Sequence, residues 1–125
     1  MATDHLANQL RRGAVLDANC RSRAVLLHLT GKWSVLILIA LRDGTLRFAA
    51  LRRTVGGVSE RMLAKSLQQL ETHGLLSRRS YPVVPPHVEY TLTPLGHEAA
   101  ARIAGLTDWI EENVHALIQV RDPDS

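Results

Sequence analysis

Residues 82–87 read Pro-Val-Val-Pro-Pro-His, three prolines in six positions. Proline has no N–H to give to a sheet ladder and fixes its own φ, so this run cannot be a central strand or a helix interior. The residues on either side, 75–81 and 88–92, carry the two-residue alternation of strands. Two short strands joined by a stiff connector make a hairpin with a protruding tip. The chain before it has helical period. The chain after it opens with Thr93-Pro94, an N-cap followed by the residue suited to the first helical position. Every other segment must therefore fit an α+β frame, mainly α, that carries one hairpin.

The clearest helix is residues 59–74, SERMLAKSLQQLETHG. Gly56 and Gly57 break the chain before it, and Ser59 is a good N-cap because its hydroxyl can accept from the free N–H groups of the first turn. Val58 and Leu63 stand at hydrophobic-staple positions, and Gly74 offers a C-cap in the left-handed region. Leu63, Leu67 and Leu70 form a narrow apolar stripe. Arg61, Lys65, Gln68, Gln69 and Thr72 project the other way. A helix that buries one stripe and shows Arg, Lys and Gln on the other meets the needs of a recognition helix in a major groove. An ordinary solvated face has the same pattern, so the neighbouring segments must decide.

Residues 4–18 have a weak helical pattern, and 24–30 a short apolar one ending at Gly31. Residues 32–42 are apolar nearly all round, which predicts the central helix of the core. Asp43-Gly44 is a turn, and Leu46-Arg47-Phe48 allows one short extended pairing. Residues 48–54 form a short helix with Leu51 inward and Arg52 and Arg53 outward. After Pro94, the residues Ala99, Ile103, Leu106, Ile110, Val114 and Leu117 recur at heptad-like spacing, which predicts one long helix over 95–120. Residues 121–125 are a polar tail.

Charge is distributed unevenly. Residues 42–87 hold eight basic and three acidic side chains, whereas residues 88–125 hold two and seven. A basic block favours phosphate, because each phosphate neutralised releases counterions. Thirteen of the fifteen basic residues are arginine, whose planar fork pairs bidentately with phosphate or guanine. No apolar run is long enough for a membrane span, and the N-terminus lacks the apolar core of a secretory signal. With its single cysteine, the chain is expected in the cytoplasm, as one domain over 1–125.

Helix, short helix, glycine turn, helix and hairpin, in that order, are a winged helix-turn-helix. The expected fold has a two-stranded wing. The chain also resembles the HxlR-type winged-helix regulators, relatives of MarR, over residues 20–96. The resemblance is carried by Gly31-Lys32-Trp33-Ser34-Val35-Leu36-Ile37-Leu38, by Leu46-Arg47-Phe48-Ala49-Ala50-Leu51-Arg52-Arg53 and by Val58-Ser59-Glu60-Arg61-Met62-Leu63. It rests above all on the run from Tyr81-Pro82 to Leu95-Gly96. It implies a homodimeric, sequence-specific regulator of transcription bound to double-stranded DNA. It also implies a dimer interface made by the N-terminal and last helices, and a sensory role for a cysteine at the position of Cys20. The family's usual Cys-Pro is here Cys20-Arg21.

Expected DNA contacts are Arg61, Met62 and Lys65 in the groove with Gln69 next, and Ser59 on the backbone. Arg53, Arg78, Arg79 and His87 are expected on phosphates or in the minor groove. Ile103, Leu106, Ile110, Val114 and Leu117 are expected to pair two copies. Cys20, with Arg21 and Arg23 close by, is either a thiolate open to a small electrophile or oxidant, or a small buried hydrophobe. The six histidines show no metal-ligand spacing, and no set of residues carries a catalytic mechanism, so neither a cofactor nor an enzyme is expected. Two rivals stand beside DNA binding. One is a winged-helix module whose basic face is covered by a protein, and the other a regulator governed by a small ligand.

Overall fold

The computed structural model describes residues 15–119. Most of the weak helical pattern at 4–18, and the tail at 121–125, lie outside them. Helix α1 (Arg21–Leu29) starts three residues before the apolar pattern does. Arg21, Ser22 and Arg23 give no periodic signal, but Cys20 takes the extended N-cap conformation and its carbonyl accepts from Ala24 N–H at 3.4 Å. Helix α2 (Lys32–Ala40) tightens into a 3-10 turn over Leu41–Asp43 rather than continuing as one α-helix to residue 42. Ile37 and Leu38 are fully buried, and α2 packs on four other helices, so it is the core's centre as its all-round apolar sequence predicts.

Strand β1 (Leu46–Arg47) follows, then α3 (Phe48–Thr54) with Leu51 fully buried. Helix α4 (Glu60–Thr72) buries Leu63, Leu67 and Leu70. Each fully buried leucine contributes roughly 1.5–3 kcal/mol, so this stripe fixes the face that α4 turns outward. The C-terminal end is set by geometry. His73 occupies the cap, one residue before the expected Gly74, and Gly74 follows it with φ +75°. Leu75 N–H donates to Leu70 C=O at 3.0 Å and Gly74 N–H to Glu71 C=O at 2.9 Å, a Schellman closure.

Strands β2 (Leu76–Tyr81) and β3 (His87–Leu92) form the antiparallel hairpin. β1 adds to the other edge of β3, with Leu46 opposite Tyr90. The sheet thus has three strands, in the order β1-β3-β2, and ties the base of the hairpin to the start of α3.

Thr93 joins the hairpin to helix α5 (Pro94–Glu112). Its Oγ accepts from Gly96 N–H at 3.0 Å and donates to Gly74 C=O at 2.7 Å. The inward stripe of α5 is Gly96, Ala100 and Ala104, small residues that let the helix lie close to the core. The expected single helix over 95–120 is broken. Asn113 ends α5, its side-chain amide donating to Trp109 C=O at 2.8 Å, and α6 (Val114–Gln119) restarts. Asparagine bonds its own backbone readily, and so it terminates a helix that apolar spacing alone would continue.

Candidate nucleic-acid interface

The site begins with the cap of α4. Ser59 Oγ accepts from Met62 N–H at 3.1 Å, and Val58 and Leu63 are both buried, so cap and staple are both formed. These contacts fix the helix start and aim its free end outward. With Leu63, Ser66, Leu67 and Leu70 inward, the residues diametrically opposite are Arg61, Lys65, Gln68 and Thr72, all exposed. They form one straight ridge. Thr72 donates its hydroxyl to Gln68 C=O at 2.9 Å, so its hydroxyl proton is spent within the helix.

Met62 and Gln69 lie to one side of the ridge. They line a depression with Leu27, His28, Trp33 and Lys65 where the end of α1 meets the start of α2. Met62 is exposed and Gln69 half-buried. Gln68 therefore stands further out than Gln69. An i, i+4, i+7 count from Arg61 picks out Gln68, whereas the sequence reading ranked it below Gln69.

Arg53 is exposed on α3, beside a groove that also meets Ser59. Its neighbour Arg52 pairs with Glu60 at 3.0 Å, a contact exposed on both sides.

Strand alternation separates Arg78 from Arg79. Arg78 shares the face of Leu76 that packs on α4, and lines a hollow with Ala64, Gln68 and Glu71. Arg79 is on the opposite face, its guanidinium 4.9 Å from the Tyr81 ring centroid. Tyr81 stacks on its cross-strand partner His87, with centroids 4.6 Å apart and planes 16° apart. His87 Nε2 faces Glu89 Oε2 at 3.5 Å. His87 is thus the first residue of β3 and is engaged within the wing, while the exposed tip is Pro82–Pro86 with Val84 almost wholly in solvent.

Cys20 is half-buried at the start of α1. Its side chain makes no full capping hydrogen bond, yet the Arg23 backbone N–H, helped by the Ser22 hydroxyl and N–H, holds the thiol below its ordinary pKa. Partial desolvation and Asp17 act against them. The charge of Arg23 is not the cause, because its guanidinium turns to Leu16 C=O at 3.0 Å.

The folded chain also brings together His28 and His73, for which sequence spacing gives no signal, with Nδ1 and Nε2 2.8 Å apart. Among the described residues no group of three His, Cys, Asp or Glu can hold a metal ion, so this pair lacks the third protein ligand of even an open zinc site.

Of the expected pairing residues, Ile103 and Val114 are half-buried, while Leu106, Ile110 and Leu117 are exposed. Trp109 and Ile118 add to this exposed apolar face. Among the described residues no single helix is long and apolar enough to cross a membrane.

The chain matches the profile of the HxlR-like helix-turn-helix family over residues 28–117. It is 56% identical over 122 residues to the uncharacterized HTH-type transcriptional regulator YtfH of Escherichia coli (strain K12), covering 98% of this chain and 97% of that protein. It is 60% identical to the solved structure of a proposed transcriptional regulator, ytfH, from Salmonella typhimurium, with a TM-score of 0.79 over 82% of this chain and 92% of the other. The redox regulator HypR in its reduced form is also similar, at 33% identity and a TM-score of 0.72 over 78% of this chain and 97% of the other.

Proposed function

Because the chain belongs to the HxlR-like helix-turn-helix family, and is a transcriptional regulator with an HTH DNA-binding fold and not an enzyme, we propose that two copies of it bind one duplex at an inverted-repeat operator. The observation that carries this reading is the exposed Arg61-Lys65-Gln68 ridge on a helix whose opposite stripe is wholly buried. Arg61 pairs with guanine, Lys65 with phosphate and Gln68 with adenine, while Met62 and Gln69 line the flank. Ser59 meets the backbone at the helix start. Arg53, Arg78 and Arg79 serve phosphates, and His87 stiffens the wing through Tyr81 and Glu89. The exposed face of Leu106, Trp109, Ile110 and Leu117, continued by Ile103 and Val114, pairs the two copies.

Cys20 makes the regulator responsive to electrophiles or oxidants. The lowered thiol pKa supports this, as does the likeness to a redox regulator. Modification at the start of α1 weakens DNA binding. A Cys20→Ser variant titrated by gel shift, with and without diamide, tests it; equal loss of binding in both proteins ends this part of the reading.

Filter binding across a salt series tests the whole. Affinity should rise steeply as salt falls. Lys65→Ala should lower the salt slope by ~1 per half-site and weaken all sequences alike, whereas Arg61→Ala should cost ~1–3 kcal/mol and relax one base position. No binding at low salt would leave the ridge to a protein partner. A second reading has one observation behind it. An apolar groove of about 370 Å3 between α1 and α5 carries Glu98 and Arg102 on its rim and has room for a small ligand.

A further inference from the structure

One side-chain hydrogen bond joins α1 to α4 among the described residues, and it links two histidines. His28 Nδ1 and His73 Nε2 are 2.8 Å apart, with ring centroids at 5.1 Å and planes tilted by 36°. His28 is in the last turn of α1 and His73 caps α4. Both rings are half-buried. Two imidazole nitrogens at this distance share one proton, one ring donating and the other accepting through its lone pair. Adding a proton to one ring leaves the bond in place and makes it charge-assisted. Adding a proton to both removes the only acceptor and sets two positive charges face to face.

The bond matters because, among the described residues, α1 is otherwise held only by partly buried side chains, Leu29 against the core among them. No side chain of α1 is fully buried, and Val25 and Leu29 reach only half-buried positions. The charged groups around the pair do not compensate a second charge. Lys32 of α2 and Lys65 of α4 line the depressions beside His28. Glu98 and Arg102 of α5 flank the groove on the other side of His73. Glu71, on α4 itself, lines the hollow toward the wing. The one carboxylate on the α5 side thus stands with an arginine, Glu71 lies toward the wing, and the charged groups beside His28 are lysines.

We propose that the His28–His73 pair is a proton-operated latch, closed at neutral pH and above, which frees α1 from the end of α4 on acidification. Opening needs both rings charged, so it follows the second proton, which the charge-assisted bond resists. The latch ties the helix that starts at Cys20 to the helix that carries the ridge. A change of proton concentration would then reach the same element as a change at the thiol.

Hydrogen exchange of the full chain, followed by mass spectrometry at pH 7.5 and 4.5 and normalised to intrinsic rates, tests the latch without DNA. In the unmodified protein, α1 should lose protection about 3- to 10-fold at the lower pH while α2 stays protected. A His28→Phe/His73→Phe variant, which keeps ring volume but cannot titrate, should show no such pH step. If that variant does not fold, His28→Gln, which keeps a hydrogen-bonding group without the second charge, should also remove the step. Constant α1 protection in the unmodified protein, or an equal step in the folded variant, overturns the proposal. Neither result depends on DNA binding, so the two readings fail separately.

Discussion

Substituting Gly96 by alanine pits two effects of opposite sign against each other. Within a helix, alanine is favoured over glycine by about 1 kcal/mol, so propensity alone predicts a more stable protein. The structure predicts the reverse. A Cβ at Gly96 would overlap the Leu75 carbonyl and press on Leu92 Cδ2 at 3.2 Å. The carbonyl cannot easily retreat, because it accepts from Thr93 N–H at 3.1 Å while Thr93 Oγ holds Gly74 C=O at 2.7 Å. Relief must come from lifting the start of α5 off the sheet. Overpacking of this kind costs typically 1–3 kcal/mol, and the upper end applies where the obstacle is backbone. Against the gain of about 1 kcal/mol, the net loss is about 2 kcal/mol, or roughly 8 °C in Tm for a chain of this size. Gly105 is the control. It lies in the same helix with nothing within 4 Å of an added Cβ, and Gly105→Ala should raise Tm by about 4 °C. Thermal unfolding followed by circular dichroism reads both. A Gly96→Ala protein that melts at or above the unmodified protein would refute the close-approach reasoning.

Other consequences are smaller. Ser59→Ala removes the acceptor of Met62 N–H and should cost about 1 kcal/mol in urea unfolding, with no change in the slope of the transition. A double-mutant cycle on Arg52 and Glu60 should give a coupling below about 0.5 kcal/mol, because both side chains are exposed. Cys20 alkylation by iodoacetamide should have a pH midpoint below the free-thiol value of about 8.5 in the folded protein and return toward it in urea; identical midpoints would show that Arg23 N–H has no hold on the thiol.

Strong local signals carried much of this structure in the sequence. The α4 start was legible because a glycine pair, a serine cap and a leucine stripe all agree, and each is borne out to within a residue. The proline run located the hairpin for an equally local reason, since no other element tolerates it. The early start of α1 was hidden because capping by Cys20 leaves no pattern. The break at Asn113 was hidden because apolar spacing runs straight through it. At the site, the outward face of α4 was readable from its period, but the ranking of Gln68 below Gln69 depended on how α1 and α2 crowd one flank. The separation of Arg78 from Arg79 follows from strand alternation and could have been drawn. The Glu89 contact of His87 was hidden because the strand was expected to begin at Val88, and the meeting of His28 with His73 because it requires the folded chain.

Selection from a random duplex pool, at moderate salt and with Arg61→Ala run in parallel, tests most directly whether two ridges read one duplex. The unmodified protein should enrich an inverted repeat with half-site centres about one helical turn, ~34 Å, or a multiple of it apart, and the variant should lose preference at one position in each half. Enrichment of a single unrepeated site, or no enrichment at all, would contradict the account.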